Sequence, residues 1–386
     1  LPLGVKKVGN QAVTAVYDTQ TGKLAYVNPA ELHSEHVILP DQVTWEGGKP
    51  KPISGSVKMK DPETHEIVEK PFKNGRYVIY SAHQLFDEST NLIPFLQNNQ
   101  GNRTMTASRQ ATQAVSLHHR EAPLVQVQSG QVNQTWEKIF GIPWSTVAHV
   151  DGAVTQVKTN KDNGHADAIV VKDSAGKSHE IQLYNHFPLN DSKSFLHSTP
   201  KVTVGTSVKK GQILADTNYT TNGHLSLGTN LRVSYLPYKG YNFEDGIVIS
   251  ESAAKKLSSE HVHRKSLEID PDNDHISKAK FTTYASTTSK KLTKDQADKL
   301  GDDGIIRVGQ KVDPGDILIA AVGKRDLAGE SARTIGRLDK RMFAYQDKSV
   351  SWDSQHAGEV VNVIRNANGK GVTVHVKTIE PAEIGD

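Results

Sequence analysis

Apolar and polar positions alternate over short runs along most of this chain, and long helical periodicity is scarce. RYVIYSA (76–82), AIVVKD (168–173) and GVTVHVKTIE (371–380) are rich in Val, Ile, Thr and Tyr. Each is bounded by Gly, Asn, Asp or Pro, the pattern of strands and turns. Helices are predicted only locally. TKDQADKLG (293–301) has a Thr N-cap, an early acid, a late Lys and a closing Gly, and ESAAKKLSS (251–259) is a second candidate. The chain is therefore expected to be mainly β, of the α+β class.

One pattern occurs twice. VGTSVKKGQILADT (204–217) and VGQKVDPGDILIAA (308–321) share VG, two residues, V, two residues, G, an acid or amide, then Ile-Leu. The second Gly supplies a turn that a residue without Cβ adopts cheaply, and Ile-Leu re-enters a core. DGAVTQVK (151–158) lies upstream of the first copy and AGEVVNVI (357–364) downstream of the second, each a partner strand. This pattern resembles barrel–sandwich hybrid modules. A lipoyl- or biotinyl-type carrier is not expected, because VKMKD (57–61) lacks symmetric barrel halves around its Lys.

Composition narrows the chemistry. With 386 residues, two or three domain-sized units fit. The hydrophobic share of 36% and mean hydropathy of −0.52 favour thin β modules, or large surfaces completed by other chains. The formal charge of +3 excludes a strongly basic nucleic-acid coat, so any nucleic-acid contact must be local. Cysteine is absent, which excludes disulfides, thiolate catalysis and thiolate zinc sites and fits a reducing compartment. No apolar run approaches the ~20 residues that span a bilayer, and no apolar signal core opens the chain; a cytoplasmic location is expected.

The strongest chemical signal is LPYKGYNFEDGIVISESAA (236–254). Glu244 and Asp245 adjoin the apolar run Gly246-Ile247-Val248-Ile249, which is expected to be a buried strand. An unpaired ionised carboxylate is costly to desolvate, so this pair calls for a metal, a cation or water. The stretch resembles the GYNFED segment of the β subunit of multisubunit DNA-dependent RNA polymerases. NLIPFLQNNQGNRTMTASRQATQAVSLHHREAPLV (91–125) and VKKGQILADTNYTTNGHLSLGTNLRVSYLPYKGYNFED (208–245) resemble that family in the same order. The resemblance is strong from Asn91 to Ser252 and looser on either side.

The resemblance implies an incomplete double-psi β-barrel with barrel–sandwich hybrid and flap or wall modules. The implied divisions are a strand-rich lead-in (1–90), a first barrel part (91–130), a barrel–sandwich hybrid-like module (131–230), the barrel segment bearing the acid pair (231–255) and a flap-like module (256–386). It implies a DNA-directed RNA polymerase, a nucleotidyltransferase that is not active alone. Glu244 and Asp245 take the place near the second, nucleotide-borne Mg2+, through water if not directly, while the main metal ligands lie on a β′-like subunit. Arg103 takes the position that reaches the nucleotide triphosphate, where a guanidinium fork suits phosphate oxygens. Asn102, Arg109, Gln113 and Lys239 are implied contacts to RNA or other nucleic acid. The implied partners are the other polymerase subunits, the remaining β parts, DNA template, RNA, NTPs and an initiation factor at the flap, with no membrane. The chain stops at IEPAEIGD, before the family's lysine-bearing continuation, as expected of a split bacteriophage β or of a truncated piece. The competing reading is a non-catalytic barrel–sandwich hybrid scaffold.

Three further signals are set aside. DPDND (270–274) lacks the flanks of the metal-binding Asp motif and the Gly and Glu of an EF-hand, and is expected to be an acidic turn. His33/His36 and His118/His119 lack the further ligands of a zinc site. The basic run RTIGRLDKRMF (333–343) is expected to be a solvated connection within the flap, or a contact to a partner or nucleic acid from the flap tip.

Overall fold

The computed structural model describes residues 4–9, 11–129, 134–161, 163–190, 193–288, 292–324, 345–366 and 370–386. The basic run at 333–343 lies outside them. The described residues are mainly β, and they divide into two compact units. Leu1–Ala114 with Val125–Phe140 forms one, and Val115–Leu124 with Gly141–Asp386 the other.

The smaller unit is built on a seven-stranded sheet in the order Val5–Val8, Gln11–Asp18, Tyr77–Val78, Val37–Ile38, Ser56–Lys60, Ile67–Pro71, with Lys23–Val27 paired to Gln11–Asp18. Val37–Ile38 and Tyr77–Val78 run parallel; the other pairs are antiparallel. Alternate positions of these strands bury Tyr17, Ile38, Val57, Met59 and Val78 in one cluster and Val16, Val27 and Tyr77 in another. The predicted strand at 76–82 is shorter than expected. Pairing ends at Val78, and Ser81 then caps a 3-10 turn over Ala82–Leu85, its Oγ accepting from the His83 amide.

In the larger unit the repeated sequence pattern becomes a repeated structure. Ser207–Val208 pairs with Gly152–Thr159, and Lys311–Val312 pairs with Gly358–Arg365. The Gly205 amide donates to Val154 O and the Gly309 amide to Val360 O, both at 2.7 Å. The Gly211 amide reaches Ala148 O at 2.8 Å, as the Gly315 amide reaches Trp352 O at 2.7 Å. Gly211 and Gly315 have φ of +83° and +90°, a conformation that costs a Cβ-bearing residue strain and glycine almost nothing. Even the bulges correspond: Gly152–Thr159 shifts register between Val154 and Gln156 against Ala166–Asp173, and Gly358–Arg365 between Val360 and Asn362 against Gly371–Glu380.

The chain visits these equivalent strands in permuted order. In the first copy the Gly-turn strands follow their partners; in the second they precede them. Each copy closes its own core. Val154, Ile169, Val171, Val208 and Leu214 fill the first, and Phe281, Leu300, Leu318, Trp352, Val360 and Val374 the second.

The predicted strand 371–380 forms over its whole length, paired from Gly371 to Glu380 with Ser259–Glu268. The helix Lys294–Lys299 starts at Thr293, whose Oγ accepts from the Gln296 amide at 3.2 Å while Gln296 Oε1 accepts from the Thr293 amide at 3.2 Å. Thr293→Ala is expected to destabilise the larger unit by about 1 kcal/mol, measurable as a lowered urea midpoint. The helix Glu251–Lys256 likewise forms where expected, with the Ser250 Oγ accepting from the Ala253 amide.

Among the described residues, no helix is long and apolar enough to cross a membrane.

Candidate functional site

The candidate residues fall on two segments, one in each unit. Asn102, Arg103 and Arg109 lie on the helix Gly101–Thr112, and Gln113 is its C-cap. This helix is polar nearly all round, and Ser108 alone is buried. Ser108 Oγ lies 2.7 Å from Ser89 Oγ and 3.0 Å from Thr90 Oγ, which ties the helix to the short helix Glu88–Asn91. The remaining surface, including Asn102, Arg103, Arg109 and Gln113, is exposed. Among the described residues the side chains of Arg103 and Arg109 have no hydrogen bond or ion pair, so both guanidinium groups are available to an anionic ligand.

Glu244, Asp245 and Lys239 lie on the irregular segment 229–249 of the larger unit. Here the expected buried strand is not found. Gly246-Ile247-Val248-Ile249 has no strand structure, and Ile247, Val248 and Ile249 are exposed, Ile247 at 84%. The reason is physical: an extended segment becomes a strand only when its N–H and C=O groups find a second strand. Among the described residues nothing pairs with 231–249. The apolar side chains Val233, Tyr235, Tyr241, Phe243 and Ile247 are consequently exposed.

The segment is nevertheless held in a definite shape. The Asn242 side chain accepts from the Tyr238 amide at 2.8 Å and donates to Leu236 O at 2.7 Å. The turn between these contacts places Lys239 and Gly240 at φ of +54° and +81°. Lys239 Nζ lies 5.7 Å from the centre of the Tyr238 ring, close enough for a weak cation–π contact. Glu244 is also left-handed, at φ +58°, and the Gly246 amide closes a turn onto Phe243 O at 3.2 Å. Glu244 and Asp245 both face solvent. Neither carboxylate has a side-chain partner among the described residues.

Two carboxylates with free oxygens fit a hard cation such as Mg2+, which prefers oxygen ligands and keeps several waters. They are too few to hold one by themselves. Among the described residues no group of three or more His, Asp or Glu side chains is arranged for a metal ion.

Asp270 organises a tight turn, accepting from the Asp272 amide and the Asn273 side chain, while Asp274 pairs with Lys348 at 2.7 Å. His33 contacts Lys60 and stacks on His65; His36 lies 3.3 Å from Asp61. His118 pairs with Glu260, itself buried and matched by Lys377 at 2.8 Å.

Sequence reasoning passed over two arrangements. Glu121, Asn230 and Lys256 meet at the base of the acid-bearing segment, although they stand in three separate stretches of sequence, none of which announces the others. His165, His186 and His197 pack ring against ring, with His186 and His197 stacked at 4.1 Å. Their spacing along the chain carries no signal, since all three lie in otherwise unremarked turns and strand ends.

The family described as RNA polymerase Rpb2, domain 6 matches residues 148–386. The DNA-directed RNA polymerase subunit beta of Thermus thermophilus is 33% identical over 297 residues, covering 75% of this chain and 25% of that protein. The corresponding subunit of Fusobacterium nucleatum is 31% identical over 318 residues, covering 80% of this chain and 25% of the relative. That of Deinococcus radiodurans is 31% identical over 301 residues, covering 76% and 25%. The chain thus spans about a quarter of the length of these relatives. It belongs to the RNA polymerase Rpb2, domain 6 family, and it is similar to bacterial β subunits over most of its own length.

Proposed function

We propose that this chain supplies the nucleotide-side half of the active site of a DNA-directed RNA polymerase, acting in template-directed RNA synthesis only within a larger assembly. The observation that carries this reading is the segment 229–249. It holds two unpartnered carboxylates in a pinned, partly left-handed loop and exposes apolar residues that no strand of the described chain covers.

Those apolar residues are suited to pairing with strands contributed by the rest of a β-like subunit, which would close a double-psi barrel around the acid pair. Burial of Val233, Tyr235, Phe243 and Ile247 would stabilise that union by roughly 1.5–3 kcal/mol per side chain. The module divisions 91–130, 131–230, 231–255 and 256–386 belong to the same proposal.

Within the assembly each residue has a distinct task. Glu244 and Asp245 offer oxygen ligands, direct or through water, to a nucleotide-borne Mg2+ whose principal site belongs to a β′-like subunit. When bound, that ion neutralises charge on the triphosphate during in-line displacement. Arg103 forks onto phosphate oxygens of the incoming NTP. Gln113, Asn102, Arg109 and Lys239 contact RNA or other nucleic acid, the amides by hydrogen bonding without charge and the cations through phosphate. DNA template and an initiation factor at the flap complete the partners.

The test is extension of an RNA primer on a DNA template by the polymerase assembled with and without this chain. Synthesis is expected only with it. Arg103→Ala is expected to raise the apparent KM for NTPs by roughly tenfold to a hundredfold, the cost of one charge-assisted phosphate contact. Extension that does not depend on the chain, or an unchanged KM, would overturn the reading.

A further inference from the structure

The segment bearing the acid pair leaves the folded body at Gly228–Asn230 and returns through Ser250 into the helix Glu251–Lys256. Its two ends are joined by one side chain from elsewhere in the sequence. Glu121 Oε1 receives Lys256 Nζ at 2.6 Å, and Glu121 Oε2 accepts from both the amide and the side chain of Asn230, at 3.1 and 2.9 Å. Lys256 Nζ also donates to Asn230 O at 2.9 Å, so entry and exit of the loop touch each other directly.

The backbone doubles this contact. The Glu121 amide donates to Gly228 O at 2.9 Å, the Asn230 side chain donates to Ala122 O at 3.0 Å, and the Leu124 amide donates to Asn230 Oδ1 at 3.1 Å. The Glu121 carboxyl is held down at about 2, first by the Lys256 hydrogen bond and then by Asn230. It therefore stays ionised throughout the working range.

We propose that Glu121 is a positioning residue for the acid pair, and that with Asn230 and Lys256 it forms a clasp closing the base of the loop that presents Glu244 and Asp245. This inference rests on the functional reading above. The physical case is one of constraint. A loop of this length with no paired strand samples many conformations unless its ends are fixed, and tying them together removes most of that freedom at the base. The Asn242 contacts then shape the tip that carries the two carboxylates. A surface ion pair alone does little. Here one carboxylate satisfies three donors from two different segments, so its removal weakens the hold on entry and exit together.

The experiment has two readouts. In the full chain, hydrogen exchange is followed at the amides of Glu121, Leu124 and Asn230. In the assembled polymerase, single-nucleotide addition is followed against NTP and Mg2+ concentration. Glu121→Ala is expected to speed exchange at these amides about tenfold and to lower nucleotide addition about tenfold, with a raised Mg2+ requirement. Glu121→Gln, whose amide oxygen can still accept from Asn230 while the ion pair to Lys256 is lost, is expected to lie between the parent chain and Glu121→Ala in both.

Unchanged exchange in Glu121→Ala would overturn the clasp. Faster exchange with unaltered nucleotide addition would overturn the positioning role while leaving the function of the acid pair intact. If Glu244→Ala with Asp245→Ala also leaves addition unaltered, the functional reading itself falls, and the positioning role with it, while the exchange data still report on the clasp.

Discussion

Glu244→Ala combined with Asp245→Ala is expected to slow nucleotide addition by about a hundredfold or more while leaving assembly unchanged. The size follows from what the carboxylates are proposed to do. Removing a group that stabilises charge during the reaction itself costs on the order of 100- to 1,000-fold in enzymes where this has been isolated. An ion on the triphosphate that loses its protein-side oxygens loses orientation as well as charge balance.

Assembly is expected to survive because both side chains are exposed and unpartnered among the described residues. Substitutions at such positions ordinarily change stability by no more than about 0.5 kcal/mol. Single-turnover addition at limiting NTP, with co-purification of the subunits as control, measures both halves of the expectation. An unchanged rate would favour the non-catalytic scaffold reading, in which the same modules bind partners but perform no chemistry.

Acidification to pH 5.5 is expected to weaken the larger unit by about 3 kcal/mol through its histidine stack alone. His186 is 3% exposed and packs against His197 and His165, with Lys377 and His375 near enough to act on its charge. Burial, followed by these cationic or protonatable neighbours, pushes its pKa down from 6.5 to about 2. His197 is pushed to about 4 by burial, then by His165 and Lys377, with Arg120 acting in the same direction and Glu260 opposing. His165 is lowered as well, mainly by burial.

The sign is fixed by which state takes up protons. Above 6.5 neither folded nor unfolded histidine is charged. Below it the unfolded chain protonates while the folded stack does not, so stability is lost as pH falls from 6.5 toward about 4 for His197 and about 2 for His186. Each pH unit inside that window costs about 1.4 kcal/mol per histidine.

Urea midpoints of the larger unit at pH 7.5 and 5.5 check this. His186→Asn with His197→Gln is expected to flatten the difference, and Asn is chosen at 186 because φ is +47° there and Asn tolerates the left-handed region. A pH dependence identical to that of the parent chain would show that the stack is not its source.

Much of the local structure was legible in the residues. Thr293 with Gln296, and Ser250 ahead of Glu251, announce helix starts because a hydroxyl three residues before a free amide needs nothing beyond its own neighbourhood. The paired Gly211 and Gly315 announce equivalent turns because only glycine reaches their backbone conformation without strain. The strand 371–380 reads correctly since its β-branched positions continue without a breaker.

The run Gly246–Ile249 reads equally well as a strand and is not one. Nothing within it reveals whether a second strand stands alongside. Asn230 and Lys256 looked like ordinary surface residues for the same reason. Their meaning comes from Glu121, more than a hundred positions away from either.

By itself the sequence determined the β-rich character, the glycine turns, the helix caps, the ordered polymerase-like motifs and the adjacency of Glu244 and Asp245. These depend on residue type and near neighbours, and on chemistry a side chain carries wherever it is placed. Tertiary structure alone decided that the acid-bearing segment finds no pairing strand among the described residues and exposes its apolar residues. It also decided that Glu121 closes the base of that segment and that three histidines pack ring against ring around the buried His186. Each of these is a pairing between distant positions. Its energy exists only once the chain has brought both partners together, so no local pattern of hydrophobicity or charge encodes it.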